Sequence, residues 1–149
     1  MEVDLKSFVL GGKFGNIDLG LQKKQIEPSL VGKIIWLNNE TKENSRIWKV
    51  DSFEFHFEDQ LLIGIINDHV SEISSRDLIS IKEKWVFEEK NITMDTLQNN
   101  LTKLSVDYQK TEDKLGLIHI RLDNGIYFTL ESLKNDEYEL VVFGKTKVQ

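Results

Sequence analysis

Residues 53–58 read FEFHFE, and no other stretch constrains the fold as tightly. Phe53, Phe55 and Phe57 alternate strictly with Glu54, His56 and Glu58. Successive side chains of an extended chain point to opposite faces, so the three rings share one side and the three polar groups the other. A helix would scatter both sets around its axis. The stretch predicts an antiparallel strand with one face on a core and the other toward water. Asp59-Gln60 then makes a tight turn into a second strand, LLIGII (61–66).

The same pattern returns near the C-terminus. GLIHIRL (116–122) and IYFTLE (126–131) alternate on either side of Asp123-Asn124-Gly125, a strong hairpin signal. Further strands are expected at SFVL (7–10), IIWL (34–37), RIWKV (46–50) and VDYQKTED (106–113), and EYELVVF (137–143) is expected to close the sheet. LISIKEKWVFEE (78–89) fits either period. A strand is favoured over its C-terminal half, and residues 74–84 stay open between helix and strand. NNETKENS (38–45) is a polar loop.

Two segments carry helical spacing. Thr93 is a good N-cap before Met94, Leu97, Leu101 and Leu104, which predicts a helix over 93–104. Leu21, Ile26, Leu30 and Val31 predict a helix over 20–31, shortened or kinked by Pro28 and stopped at Gly32.

These elements repeat in order. NIDLGLQKKQI (16–26) and NITMDTLQNNL (91–101) start 75 residues apart. DSFEFHFE (51–58) aligns with NGIYFTLE (124–131), and LIGII (62–66) with ELVVF (139–143). With 149 residues the chain has material for one ordinary domain. The reading is a single α+β domain, 1–149. It consists of two helix-plus-antiparallel-meander units in tandem, about 1–75 and 76–149, with the helices on one side of the sheet.

A helix followed by a meander, twice in about 150 residues, resembles the tandem-repeat fold of the beta-lactamase inhibitor protein. The phrase IDLGLQKKQIEPSLVG is similar to the opening of related small repeat modules: small, polar, then a helix ending in Leu-x-Gly. Similar layouts occur among small immunity proteins of bacterial toxin systems. The resemblance is one of layout and carries over no functional residue. The inhibitor protein is secreted and disulfide-stapled, whereas this chain has no cysteine. What the resemblance implies is a protein that inhibits another protein.

Charge and motifs narrow the function classes. The net charge of −6 repels phosphate, so no nucleic-acid partner is expected, and it suits a basic protein. No apolar run approaches the roughly 20 residues of a membrane helix, and the acidic start lacks a signal's basic region, so no membrane association and a cytoplasmic location are expected. No phosphate loop, nucleophile elbow or metal-ligand spacing occurs among the three histidines His56, His69 and His119. The carboxylates lie in polar or turn contexts that would leave them solvated. No enzyme activity, metal or cofactor is expected.

What remains is the polar face of the sheet. Alternation assigns it Glu54, His56, Glu58, His119, Arg121, Tyr127, Thr129 and Glu131, with Trp48 joining them. Aromatics and Arg dominate binding hot spots, so Trp48, Arg121 and Tyr127 are the expected anchors. The leading reading is a non-enzymatic protein-binding module, an immunity-type inhibitor covering the active surface of a basic toxin domain. Three alternatives are a small-ligand binder with its site between sheet and helices, an enzyme of unrecognised type, and a subunit of a larger assembly.

Overall fold

The computed structural model describes residues 1–32, 34–36 and 40–148. Leu37 of the expected strand 34–37, and Asn38 and Asn39 of the expected loop 38–45, lie outside the described residues. The elements run β1 (Glu2–Asp4), α1 (Leu5–Gly11), α2 (Lys23–Ile26), β2 (Ile35–Trp36), β3 (Ile47–Val50), β4 (Phe53–Glu58) and β5 (Leu61–Asn67). There follow β6 (Ser80–Glu83), α3 (Met94–Lys103), β7 (Gln109–Glu112), β8 (Ile118–Arg121), β9 (Ile126–Ser132) and β10 (Tyr138–Thr146). The fold is mixed α+β.

Eight strands form one sheet in the order β2-β3-β4-β5-β10-β9-β8-β7. All its pairings are antiparallel. β1 and β6 pair in parallel as a separate two-stranded sheet. The large sheet is thus two four-strand meanders whose last strands, β5 and β10, pair with each other. EYELVVF, expected to close the sheet, becomes β10 at its centre, between β5 and β9. The reason is visible in its composition. Leu140 and Phe143 are buried on one face, and Val142 is half-buried on the other, which suits a strand with neighbours all around.

The two meanders match in strand order, but their helices do not match in length. α3 follows the expected boundaries, and the Thr93 side chain accepts from the Thr96 N–H at 3.2 Å as its N-cap. The helix expected over 20–31 is a single α turn followed by a 3₁₀ turn, Glu27–Ser29. Pro28 cannot donate to the ladder, and this splits the segment.

Two strand expectations are corrected. SFVL (7–10) lies inside α1, not in a strand. Asp4 caps the helix by accepting from the Ser7 N–H at 2.7 Å, and Gly12 ends it in the left-handed region at φ 77°. Leu5, Phe8 and Val9, spaced by three and one, are all buried, which is a helical face. In 78–89 the strand occupies the first half, β6, and Trp85–Glu88 is a 3₁₀ turn. Trp85 enters that turn at φ 52°, where its ring meets Phe87 and Phe128 at 6.2 Å each.

One face of the sheet carries the core. Phe53, Phe55, Phe57, Ile120, Phe128 and Phe143 are all buried on it. Phe14 meets Phe8, Phe53 and Phe55 edge-on at 5.1, 4.7 and 5.8 Å, and Phe143 stacks on Phe128 at 5.3 Å. Such pairs add to the burial of their area. Leu97 and Leu101 of α3 join the same cluster. No described helix is long and apolar enough to cross a membrane.

Candidate functional site

The opposite face is defined by register. One row of directly paired residues crosses all eight strands: Ile35, Lys49, Glu54, Ile66, Gly144, Tyr127, Arg121 and Gln109. Paired residues in an antiparallel sheet share a face, so these side chains form one band. Beside it lie His56 opposite Ile47, and Thr129 opposite His119.

At the centre of the band the surface flattens. Gly144 has no side chain, and the Tyr127 ring fills the space above it. A Cβ on Gly144 would sit 3.3 Å from Tyr127 Cε1. The Arg121 guanidinium lies over the Tyr127 ring at 5.5 Å. Arg on Tyr on Gly is therefore a continuous stack across three strands. Burial pushes the Tyr127 phenol's pKa up, and Arg121 pulls it the other way. On the first meander Glu54 holds His56, Oε2 to Nε2, at 2.9 Å, and Lys49 reaches Glu54 at 3.6 Å.

Trp48 is corrected. It is 1% exposed and sits on the core face, paired opposite Phe55, with its ring 4.8 Å from that of Phe57. Its Nε1–H donates to the Lys42 carbonyl at 2.9 Å. RIWKV is apolar at both parities, so the run alone leaves open whether Ile47 or Trp48 faces inward. The pairing with Phe55 decides it. Thr129 is on the expected face but buried, so it offers little to a partner. Glu54, His56, His119 and Tyr127 are half-buried, while Glu58, Arg121 and Glu131 are exposed. Lys49, Ile66 and Gly144 were missed. Lys49 follows once Trp48 is turned inward. Ile66 and Gly144 depend on the β5–β10 seam, which no local pattern announces.

His119 links three elements. Its Nε2–H donates to Asp113 Oδ2 at 2.8 Å, and its Nδ1 meets the Thr129 hydroxyl at 3.0 Å. Asp113 also accepts from the N–H groups of Leu115 and Leu117 at 2.8 and 3.1 Å. A Thr–His–Asp chain has the members of a nucleophile relay. Here, however, the hydroxyl is buried within the sheet, and the carboxylate is spent on shaping the β7–β8 turn. The chain works as a pin across β8, β9 and that turn.

The pin has a pH dependence. The hydrogen bond from His119 first, then those from Leu117 and Leu115, hold the Asp113 carboxyl below its ordinary 3.8. A depressed folded-state pKa means its stabilisation is complete above the unfolded value and is lost as pH falls through the folded one. Below about pH 4 the parent should therefore lose stability faster than Asp113→Asn. Denaturant midpoints measured for both between pH 5 and 2 check this, and identical acid slopes would contradict it.

A groove opens at one end of this face. Its volume is about 570 Å³, and Asn44, Arg46, Ile47, His56, Glu58 and Ile63 are among the residues lining it. Among the described residues no group of three or more His, Asp or Glu side chains could hold a metal ion. Comparison with known proteins finds no matching family model, no matching curated protein and no matching solved structure.

Proposed function

We propose that the chain is a non-enzymatic, cytoplasmic protein-binding module, an inhibitor of the immunity type that neutralises a bacterial toxin by covering its active surface. The observation that carries this reading is the band of side chains crossing all eight strands on the face opposite the core. A specific protein interface needs roughly 800 Å² per partner on a rigid surface, and an eight-stranded hydrogen-bonded sheet is rigid and broad. Arg121 stacked on Tyr127 supplies a preordered anchor of the residue types that dominate hot spots. The net charge of −6 favours a basic partner. The likeness of layout to tandem-repeat inhibitors is the reason for choosing inhibition over other forms of binding. The groove is lined by Ile47 and His56 of the open face and also by Lys23 of α2 and Phe57 of the core face.

The test is co-purification with the product of the adjoining reading frame, followed by titration of variants. Arg121→Ala and Tyr127→Ala should each weaken binding by about 2 kcal/mol. Glu54→Gln should slow association and reduce its salt dependence more than it speeds dissociation. Folded variants that all bind like the parent would remove the sheet face from the interface.

A further inference from the structure

The groove beside the β4–β5 turn is built rather than incidental. One wall is the 42–45 segment, and a single buried cation holds it. Lys23 is 6% exposed, and its ammonium donates to the carbonyls of Lys42, Glu43 and Ser45 at 3.2, 2.8 and 2.6 Å. The same ammonium lies 5.5 Å from the centre of the Trp48 ring and 5.0 Å from that of Phe57. All three of its protons are used. The Trp48 indole and the Gln60 amide take further hold of the Lys42 and Glu43 carbonyls, each from a different strand or turn. A loop clamped through its carbonyls keeps its shape with no guest present. That removes the ordering cost a binding loop otherwise incurs.

The opposite wall is the β4–β5 turn. Asp59 and Gln60 both occupy the left-handed region, φ 49° and 69°, without being glycine. Such backbone is costly for ordinary residues and persists where the surroundings enforce it. Ile47, Ile63 and the nearly buried Phe57 form the groove's apolar part, with Ile63 39% exposed. Glu58 and Asp59 line the rim, and neither has an ion-pair partner among the described residues. A volume of about 570 Å³ lies within the roughly 300–1,000 Å³ typical of ligand sites.

We infer that this groove receives an arginine-bearing segment of the partner protein, the arginine stem lying on Ile47 and Ile63 and its guanidinium meeting the carboxylates of Glu58 and Asp59. An apolar strip beside two unpaired carboxylates matches a side chain that is aliphatic along its length and a planar cation at its tip. Arg46 also lines the groove, so a second cation there would meet like charge. The inference rests on the reading of the partner as a basic protein.

The test uses a probe that needs no partner. The capped tripeptide acetyl-Leu-Arg-Leu-amide is titrated into the ¹⁵N-labelled full chain and followed by amide shifts. Saturable shifts are expected at Ile47, His56 and Ile63, and the glutamine analogue should bind at least about tenfold more weakly. Glu58→Gln with Asp59→Asn should bring the arginine peptide down to the level of its glutamine analogue. Both positions are exposed and Asn tolerates the left-handed region, so the fold is kept. Lys23→Met should weaken the peptide through loss of loop order while leaving the arginine preference intact. Equal binding of the two peptides, or shifts confined to the Arg121–Tyr127 stack, would overturn the groove assignment. Groove binding of the peptide without any binding by the adjoining gene product would instead overturn the proposed function and leave the groove standing.

Discussion

Phe55→Ala should cost about 3–5 kcal/mol of stability, enough to consume much of what a domain of this size has. Phe55 is fully buried in β4, paired opposite Trp48 on one side and Ile65 on the other. Its ring also takes the edge of Phe14 at 5.8 Å. Phe14 sits in the connection after α1, so the cavity would loosen the sheet and the layer above it together. Close-packed neighbours refill such a hole only in part. Urea denaturation of parent and variant measures the difference. A loss under about 1 kcal/mol would mean that the β4 register is shifted by one and the ring lies on the surface.

Gly144→Ala should cost about 3 kcal/mol or more, although it adds only one methyl group. An added Cβ would lie 2.5 Å from the Ile65 carbonyl oxygen and 3.1 Å from Ile66 Cα. Both are backbone atoms of the neighbouring strand, so neither can swing aside. The seam between β5 and β10 must open, and the Tyr127 ring above it must move. Gly64, which faces Thr146 across the same seam, provides the control. Its added Cβ would meet nothing nearer than 3.6 Å. Gly64→Ala should be neutral, or stabilising by up to about 1 kcal/mol through reduced freedom of the unfolded chain. Amide exchange locates the effect. Protection at 64–67 and 143–146 should fall in Gly144→Ala and persist in Gly64→Ala. Equal stability of the two variants would show that the seam accommodates a side chain where the geometry leaves no room.

Elements whose pattern is local were legible along the chain. FEFHFE became β4 with its rings buried, Asp123-Asn124-Gly125 became a hairpin turn with Gly125 at φ 90°, and Thr93 capped α3. In each case neighbours along the chain supply the decisive contact: the pleat, the turn or the cap. Most of the open face follows from the same pleat, including Glu54, His56, Arg121 and Tyr127. SFVL alone, without Asp4 and Leu5, carries no helical signal. With them the spacing and the cap are helical.

Tertiary structure alone decided three things. It turned Trp48 inward, because a run apolar at both parities takes its orientation from the strand beside it. It placed β10 at the centre, because pairing between strands about 80 residues apart depends on both partners and on no local signal. It made the groove, because Lys23 reaches the carbonyls of 42–45 about twenty residues along the chain. Side-chain period encodes which face of a strand is wet. Which strands meet, and what their meeting brings together, is fixed by the packing of the whole core.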